Sequence, residues 1–202
     1  MHKEAIDERT KRVWDKIAKT GIADRFYLAG GTALAVHFGH RKSNDLDSFS
    51  QEDFSTSDLR KQLSQIGEIV LLGEADGTLH VTVDHVMVSF FHYGYGLLFP
   101  PVKFEGLTLA DERDIAAMKL DAVSSRGSRK DFIDIYELLK KHTLAEFFEK
   151  KYAGIKYNML HILKSLIYFD DADGEPPPMM LHDVGWDDIK QSISQAVSAF
   201  SE

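Results

Sequence analysis

The chain reads as an α+β protein, with a mixed β-sheet core and flanking helices followed by a helical C-terminal region. Two patterns predict this. Up to about residue 109, short runs rich in β-branched and aromatic residues alternate with amphipathic helical runs. Beyond that point apolar residues recur at helical spacing and the strand signal fades. Length agrees, because 202 residues suit one α+β domain with a helical appendage and argue against a second full-sized domain. The expected division is a core over residues 1–109 and a helical region over 110–202 that packs on it.

In chain order, residues 3–19 form an expected amphipathic helix, with Ile6, Val13 and Ile17 on one face and Gly21 as its stop. Residues 25–29 (RFYLA) are a short strand, broken by Gly30-Gly31, and residues 32–38 (TALAVHF) return to helix. After a polar turn over 40–44, residues 45–49 form the next strand. Asp58 is placed to cap a helix over 59–66 that Gly67 closes, and residues 68–72 form a strand. Residues 78–83 and 86–92 make a hairpin around Asp84-His85. The aromatic, Gly- and Pro-containing stretch 93–101 reads as a loop. Helices follow over 115–123 and 132–139, separated by the polar break 124–128. A long apolar helix covers 144–169 with an interruption near Gly154, residues 170–178 (DDADGEPPP) are a linker, and a final amphipathic helix covers 187–200.

Composition narrows the function classes. A hydrophobic fraction of 44% with 28% charged residues is ordinary for a chain that packs a core. No apolar run approaches the length of a membrane span, and Met1-His2-Lys3-Glu4 lacks a signal-peptide pattern. The absence of cysteine excludes disulfides and cysteine-ligated zinc, so the expectation is a cytoplasmic protein with no membrane partner. A net charge of −8 argues against broad non-specific binding to nucleic acid but leaves room for a local basic groove.

Two motifs carry chemistry. Asp45 and Asp47 lie two apart on an expected strand, so both carboxylates project from one face. Like charges held together there repel, and a hard divalent cation such as Mg²⁺ or Mn²⁺ relieves the repulsion while keeping positions open for phosphate. By itself a D-x-D on an edge strand more often faces water. The second motif changes that weighting: strand, Gly30-Gly31-Thr32, helix sets flexible backbone N–H groups and a hydroxyl at a helix N-terminus, where phosphate is favoured. The order strand, G-G-T, short helix, basic turn, D-x-D puts a phosphate-binding turn beside a metal-binding strand.

The stretch 28–49, LAGGTALAVHFGHRKSNDLDSF, resembles the first motif of the DNA polymerase β-like nucleotidyltransferase superfamily. More narrowly it is similar to the AbiEii/AbiGii toxin family, with Arg41, Ser43, Asp45 and Asp47 falling on the pattern R-x-S-x-D-[LF]-D. Downstream, Lys119, Arg126 and Lys130-Asp131-x-x-Asp134 match that family's helical motif. The resemblance implies a nucleotidyltransferase-type core. It further implies transfer of a nucleotidyl group from a nucleoside triphosphate (NTP), with tRNA as acceptor for some family toxins, and a cognate antitoxin as partner. In residue terms it implies that Gly30, Gly31, Thr32, Arg41, Ser43, Arg126 and Lys130 hold the nucleotide. Asp45 and Asp47 would ligate the metal, and Lys119 and Asp131 would join them in the catalytic set.

One departure stands out. The superfamily's third carboxylate position falls at Ser89, which brings no charge, while Asp84 sits at a turn that favours Asp locally. Asp131 and Asp134, three apart on one helix face, offer a compensating base or metal ligand, with Lys130 or Arg126 as phosphate contacts. A solvated helix start explains the same residues without function. His80, His85 and His92 match no zinc spacing. The run Phe90-Phe91-His92-Tyr93 with Tyr95 can stack a base or simply pack. Two alternatives stay open at this point: transfer to a small molecule or protein, and a non-catalytic NTP-binding module.

Overall fold

The computed structural model describes residues 1–151 and 158–201 and divides into two compact units, Met1–Asp111 and Glu112–Glu202. In the first unit a seven-stranded mixed sheet runs in the order β3-β4-β5-β2-β1-β7-β6. Its strands are β1 (Tyr27–Ala29), β2 (Leu46–Ser50), β3 (Ile69–Ala75), β4 (Thr78–Val83), β5 (Val86–His92), β6 (Val102–Phe104) and β7 (Leu107–Leu109). Its helices are α1 (Glu8–Ile17), α2 (Ile22–Arg25), α3 (Gly30–Phe38) and α4 (Thr56–Leu63). Strand β2 is central to the site: it pairs antiparallel with β1 and parallel with β5.

Period-two alternation decides which residues face the core. One sheet face carries Leu28, Leu46, Val88, Phe90, Leu79 and Val81, all buried. Phe26 packs its ring 5.0 Å from Phe90 and 5.0 Å from Phe54 on this side. The opposite face carries two rows that run across the strands. Ala29, Asp47, Ser89 and His80 are successive register partners in one row, and Tyr27, Phe49 and Phe91 in the next. The aromatic row is stacked, with centroids 5.9 Å apart for Tyr27 and Phe49 and 5.0 Å for Phe49 and Phe91.

The second unit is helical: α5 (Glu112–Ser125), α6 (Arg129–Leu139), α7 (Leu144–Lys151), α8 (Met159–Leu166), α9 (Asp170–Asp173) and α10 (Trp186–Ser201). Ile115, Leu120, Phe132, Ile135, Leu138, Leu166 and Ile193 form its core. Phe132 sits 4.9 Å from Phe169 and 6.1 Å from Trp186, which ties the stretch after α8 and the start of α10 to α6.

Several boundaries differ from the sequence reading, each for a local reason. Residues 22–25 fold as α2, so β1 keeps only three residues before Gly30. Ser55, not Asp58, caps α4 by accepting from the Asp58 N–H, and the helix starts a turn earlier. The expected helix over 3–19 divides into a 3₁₀ turn at Lys3–Ala5 and the first α-helix from Glu8, whose start is fixed by the Asp7 side chain accepting from Thr10 N. A hairpin of β6 and β7 follows the aromatic loop, turning at Glu105 (φ +46°) and Gly106 (φ +83°). Its strands are three residues each, too short for an alternation signal. The expected linker 170–178 begins with α9. Of the expected helix over 144–169, α7 and α8 are the described parts, and the interruption near Gly154 lies outside the described residues. No described helix is long and apolar enough to cross a membrane.

Candidate active site

Gly30 opens α3 immediately after β1, with φ +67°. Only glycine takes this left-handed conformation without strain. A Cβ there would lie 2.7 Å from Asp47 Oδ2, so the missing side chain is what lets the carboxylate lie against the helix start. The residue before the helix, Ala29, has no side chain able to cap the first turn. The N–H groups of that turn therefore lack a side-chain partner from the cap, at the electropositive end of the helix. Gly31 has its own reason to be small, because a Cβ would collide with Arg41 Nη2 and would sit 3.5 Å from Ser43 Oγ.

The basic turn after α3 is braced from inside. The Thr32 side chain is 1% exposed, lies 2.8 Å from Ser43 Oγ and donates to the Asp45 carbonyl. Thr32 thus ties the helix start to the segment that carries the carboxylates. Arg41 is buried and donates to the Lys42 carbonyl at 3.1 Å. Asp45 is exposed and stands one residue ahead of β2, while Asp47 is half-buried within it. Asp47 is the register partner of Ala29 on one side and Ser89 on the other. Ser89 is buried, and its Oγ lies 2.9 Å from His80 Nδ1.

In the helical unit, Lys119 is 4% exposed and its ammonium contacts Asp131 Oδ1 at 2.9 Å and Asp134 Oδ2 at 2.6 Å. Both carboxylates are fully buried. Arg126 grips Asp131 with two N–H groups, Nε to Oδ2 at 2.7 Å and Nη2 to Oδ1 at 2.9 Å, and Ser128 donates to Oδ2 at 2.6 Å. Burial alone would raise the Asp131 pKa. The Arg126 hydrogen bonds, the charge of Lys119 and the Ser128 hydroxyl outweigh it and hold this carboxyl well below the usual carboxylate range. Arg126 itself is 56% exposed and carries its charge to the surface, and Lys130 is exposed.

The family model for the nucleotidyl transferase AbiEii toxin of type IV toxin–antitoxin systems matches residues 12–201. The chain belongs to the AbiEii nucleotidyl transferase toxin family. A protein of Aquifex aeolicus, of uncharacterised function, is 34% identical over 208 residues, covering 98% of each chain. Among solved structures, the fold is similar to MenT4, a nucleotidyltransferase toxin of Mycobacterium tuberculosis, at a TM-score of 0.61 and 12% identity, covering 97% of this chain and 86% of that one. JHP933 from Helicobacter pylori superposes at a TM-score of 0.58 with 14% identity, covering 96% and 92% of the two chains. This AbiEii-family chain is therefore a nucleotidyltransferase.

Sequence reasoning singled out the glycines and the two aspartates because both motifs are local, and the structure brings Gly30 and Asp47 together. It missed that Ser89 is hydrogen-bonded, that the Thr32 hydroxyl is committed to the neighbouring segment, and that Ser128 serves Asp131. Nothing in local spacing signals those partners. Among the described residues, no group of three or more His, Asp or Glu side chains gathers as a ready metal cage. The Asp47 carboxylate against the start of α3, with Asp45 two residues ahead of it, is oxygen-donor chemistry of the kind Mg²⁺ or Mn²⁺ take, since these ions complete their shells with phosphate and water.

Proposed function

We propose that this nucleotidyltransferase moves a nucleotidyl group from an NTP to a hydroxyl of tRNA, as the toxin of a toxin–antitoxin pair in the cytoplasm. The observation that carries the reading is the close approach of the Asp47 carboxylate to the start of α3 at Gly30, where the N-cap residue Ala29 supplies no side-chain cap. A phosphate chain laid on that helix start meets backbone N–H groups at one end and a carboxylate-held cation at the other. In this reading Gly30, Gly31, Thr32 and Ser43 shape the triphosphate seat through backbone and turn geometry, with Arg41 bracing the turn. Asp45 and Asp47 hold the divalent cation, whose chemistry when bound is to neutralise phosphate charge and favour pyrophosphate as leaving group.

The downstream set enters through its motif. Arg126 and Lys130 are the proposed phosphate contacts, and Lys119 with Asp131 fixes the guanidinium of Arg126. Much of the rate then comes from positioning and charge neutralisation, not from covalent chemistry by the protein.

The test is labelling of cellular RNA by radioactive NTP. The double variant Asp45→Ala, Asp47→Ala is expected to abolish the label, and undiminished labelling would overturn the site assignment. The net charge of −8 favours a second reading in which the acceptor is a protein or small molecule. Offering labelled NTPs first to pooled RNA and then to pooled protein separates the two by which fraction keeps the label. The antitoxin part is checked by expressing the chain with and without its neighbouring gene: growth arrest that the neighbour fails to relieve would remove it.

A further inference from the structure

Attack on an α-phosphate requires the acceptor hydroxyl to lose a proton, and the carboxylates that the motifs supply are already committed. Asp45 and Asp47 are the proposed cation ligands. Asp131 is held ionised by Lys119, Arg126 and Ser128, an arrangement that opposes taking up a proton. The row of register partners that contains Asp47 continues through Ser89 to His80. Strand spacing puts the backbones of Asp47 and His80 roughly 9–10 Å apart, two strand intervals. That interval is occupied by Ser89 on β5, and Asp47 and His80 rise from the same sheet face on either side of it.

His80 is held in one orientation. Its Nδ1 meets Ser89 Oγ at 2.9 Å, and its ring stands edge-on to Phe91 at 5.3 Å between centroids. On the other flank Gly73 is its register partner, and a Cβ there would come within 3.6 Å of His80 Cδ2. The β3 strand shifts register between Leu71 and Gly73 at this point, which places the glycine opposite the imidazole. When Ser89 Oγ accepts from Nδ1–H, the tautomer leaves the lone pair on Nε2. The strands packed against His80 present Gly73 on one side and Ser89 and Phe91 on the other, none of them charged. The next charged residue along the row is Asp47.

We propose that His80, with its tautomer set by Ser89, is the base that accepts the acceptor hydroxyl's proton. This rests on the nucleotidyl-transfer reading above. As the acceptor oxygen bonds to the α-phosphorus, the bond from that phosphorus to the bridging oxygen of the β-phosphate breaks. Pyrophosphate leaves with the electron pair, and the hydroxyl proton passes to His80 Nε2. The device departs from a carboxylate base beside the metal ligands: an imidazole side chain adds no negative charge where the triphosphate already crowds it.

The test uses the full chain with labelled NTP and total deproteinised bacterial RNA, under single-turnover conditions. His80→Asn keeps a donor for Ser89 at the Nδ1 position but removes the basic nitrogen. Its rate of transfer is expected to fall about 10²–10⁴-fold, with NTP affinity by calorimetry unchanged. Adding Ser89→Asp to His80→Asn supplies a carboxylate beside Asp47 and is expected to recover at least a tenth of the wild-type rate, roughly one order short of full activity. A merely structural role for His80 predicts that Asn suffices. Transfer by His80→Asn within about threefold of wild type overturns the proposal, as does a double variant that binds NTP normally yet stays as slow as the single one. Wild type that transfers to neither RNA nor protein defeats the underlying reading instead, and this inference with it.

Discussion

Replacing Gly30 by alanine probes the contact between the start of α3 and Asp47. An L-residue at φ +67° costs about 1–2 kcal/mol of backbone strain. The new methyl would lie 2.7 Å from Asp47 Oδ2, where ordinary contact starts at 3.4 Å, so the carboxylate must retreat by about 0.7 Å. Holding Asp47 off its preferred rotamer adds about 0.5–1.5 kcal/mol. The sum, about 1.5–3.5 kcal/mol, corresponds to a fall in Tm of about 3–14 °C for a chain of this length. Function should suffer more than stability, because a shift approaching 1 Å in a positioning group costs about 100-fold in rate. Thermal melts with and without Mg²⁺ and NTP give both readings together. Wild type at a ligand concentration of 100 Kd gains about 2.7 kcal/mol of stability, and Gly30→Ala is expected to lose that ligand-induced gain. Gly21→Ala is the control, since a Cβ there meets nothing within 4 Å. A Gly30→Ala protein that melts like wild type and keeps its response to Mg²⁺–NTP would refute the claim that Asp47 and the start of α3 form one binding seat.

Two further outcomes follow from the buried charge cluster of the helical unit. Lys119→Met leaves Asp131 and Asp134 one cation short inside the core, and urea melts are expected to show a loss of about 3–5 kcal/mol; a loss below about 1 kcal/mol would mean the cluster is more hydrated than its burial indicates. Because the folded pKa of Asp131 is depressed, its ionised form stabilises the protein fully above its ordinary value of 3.8, and that stabilisation is lost as pH falls through the folded value. The stability gap between wild type and Asp131→Asn should therefore hold steady from about pH 5 to 8 and narrow below about pH 4. A gap that stays constant into acid would contradict the assigned network.

Legibility in the sequence tracked how local each signal is. Gly30-Gly31 after an apolar strand, and two aspartates at strand spacing, can be read along the chain because a positive φ and a period of two are properties of neighbouring residues. The Asp84-His85 hairpin was legible for the same reason, with φ of +47° and +66° at the turn. The three-residue strands β6 and β7 were not, since alternation needs more length than they have.

What only the tertiary structure decided is which distant groups meet. The sequence determined an α+β chain with a Gly30-Gly31-Thr32 turn ahead of a D-x-D strand, and its motifs resemble those of the family to which the chain belongs. Strand order then set β2 between β1 and β5 and made Asp47 the register partner of Ser89, with His80 beyond it. Helix packing put Lys119 between Asp131 and Asp134 with their oxygens engaged, which turns a surface-looking acidic helix start into a buried ion cluster. The physical reason is common to both cases. Register and burial are fixed by long-range pairing that maximises buried apolar area and satisfied backbone hydrogen bonds, and no window of neighbouring residues contains that information.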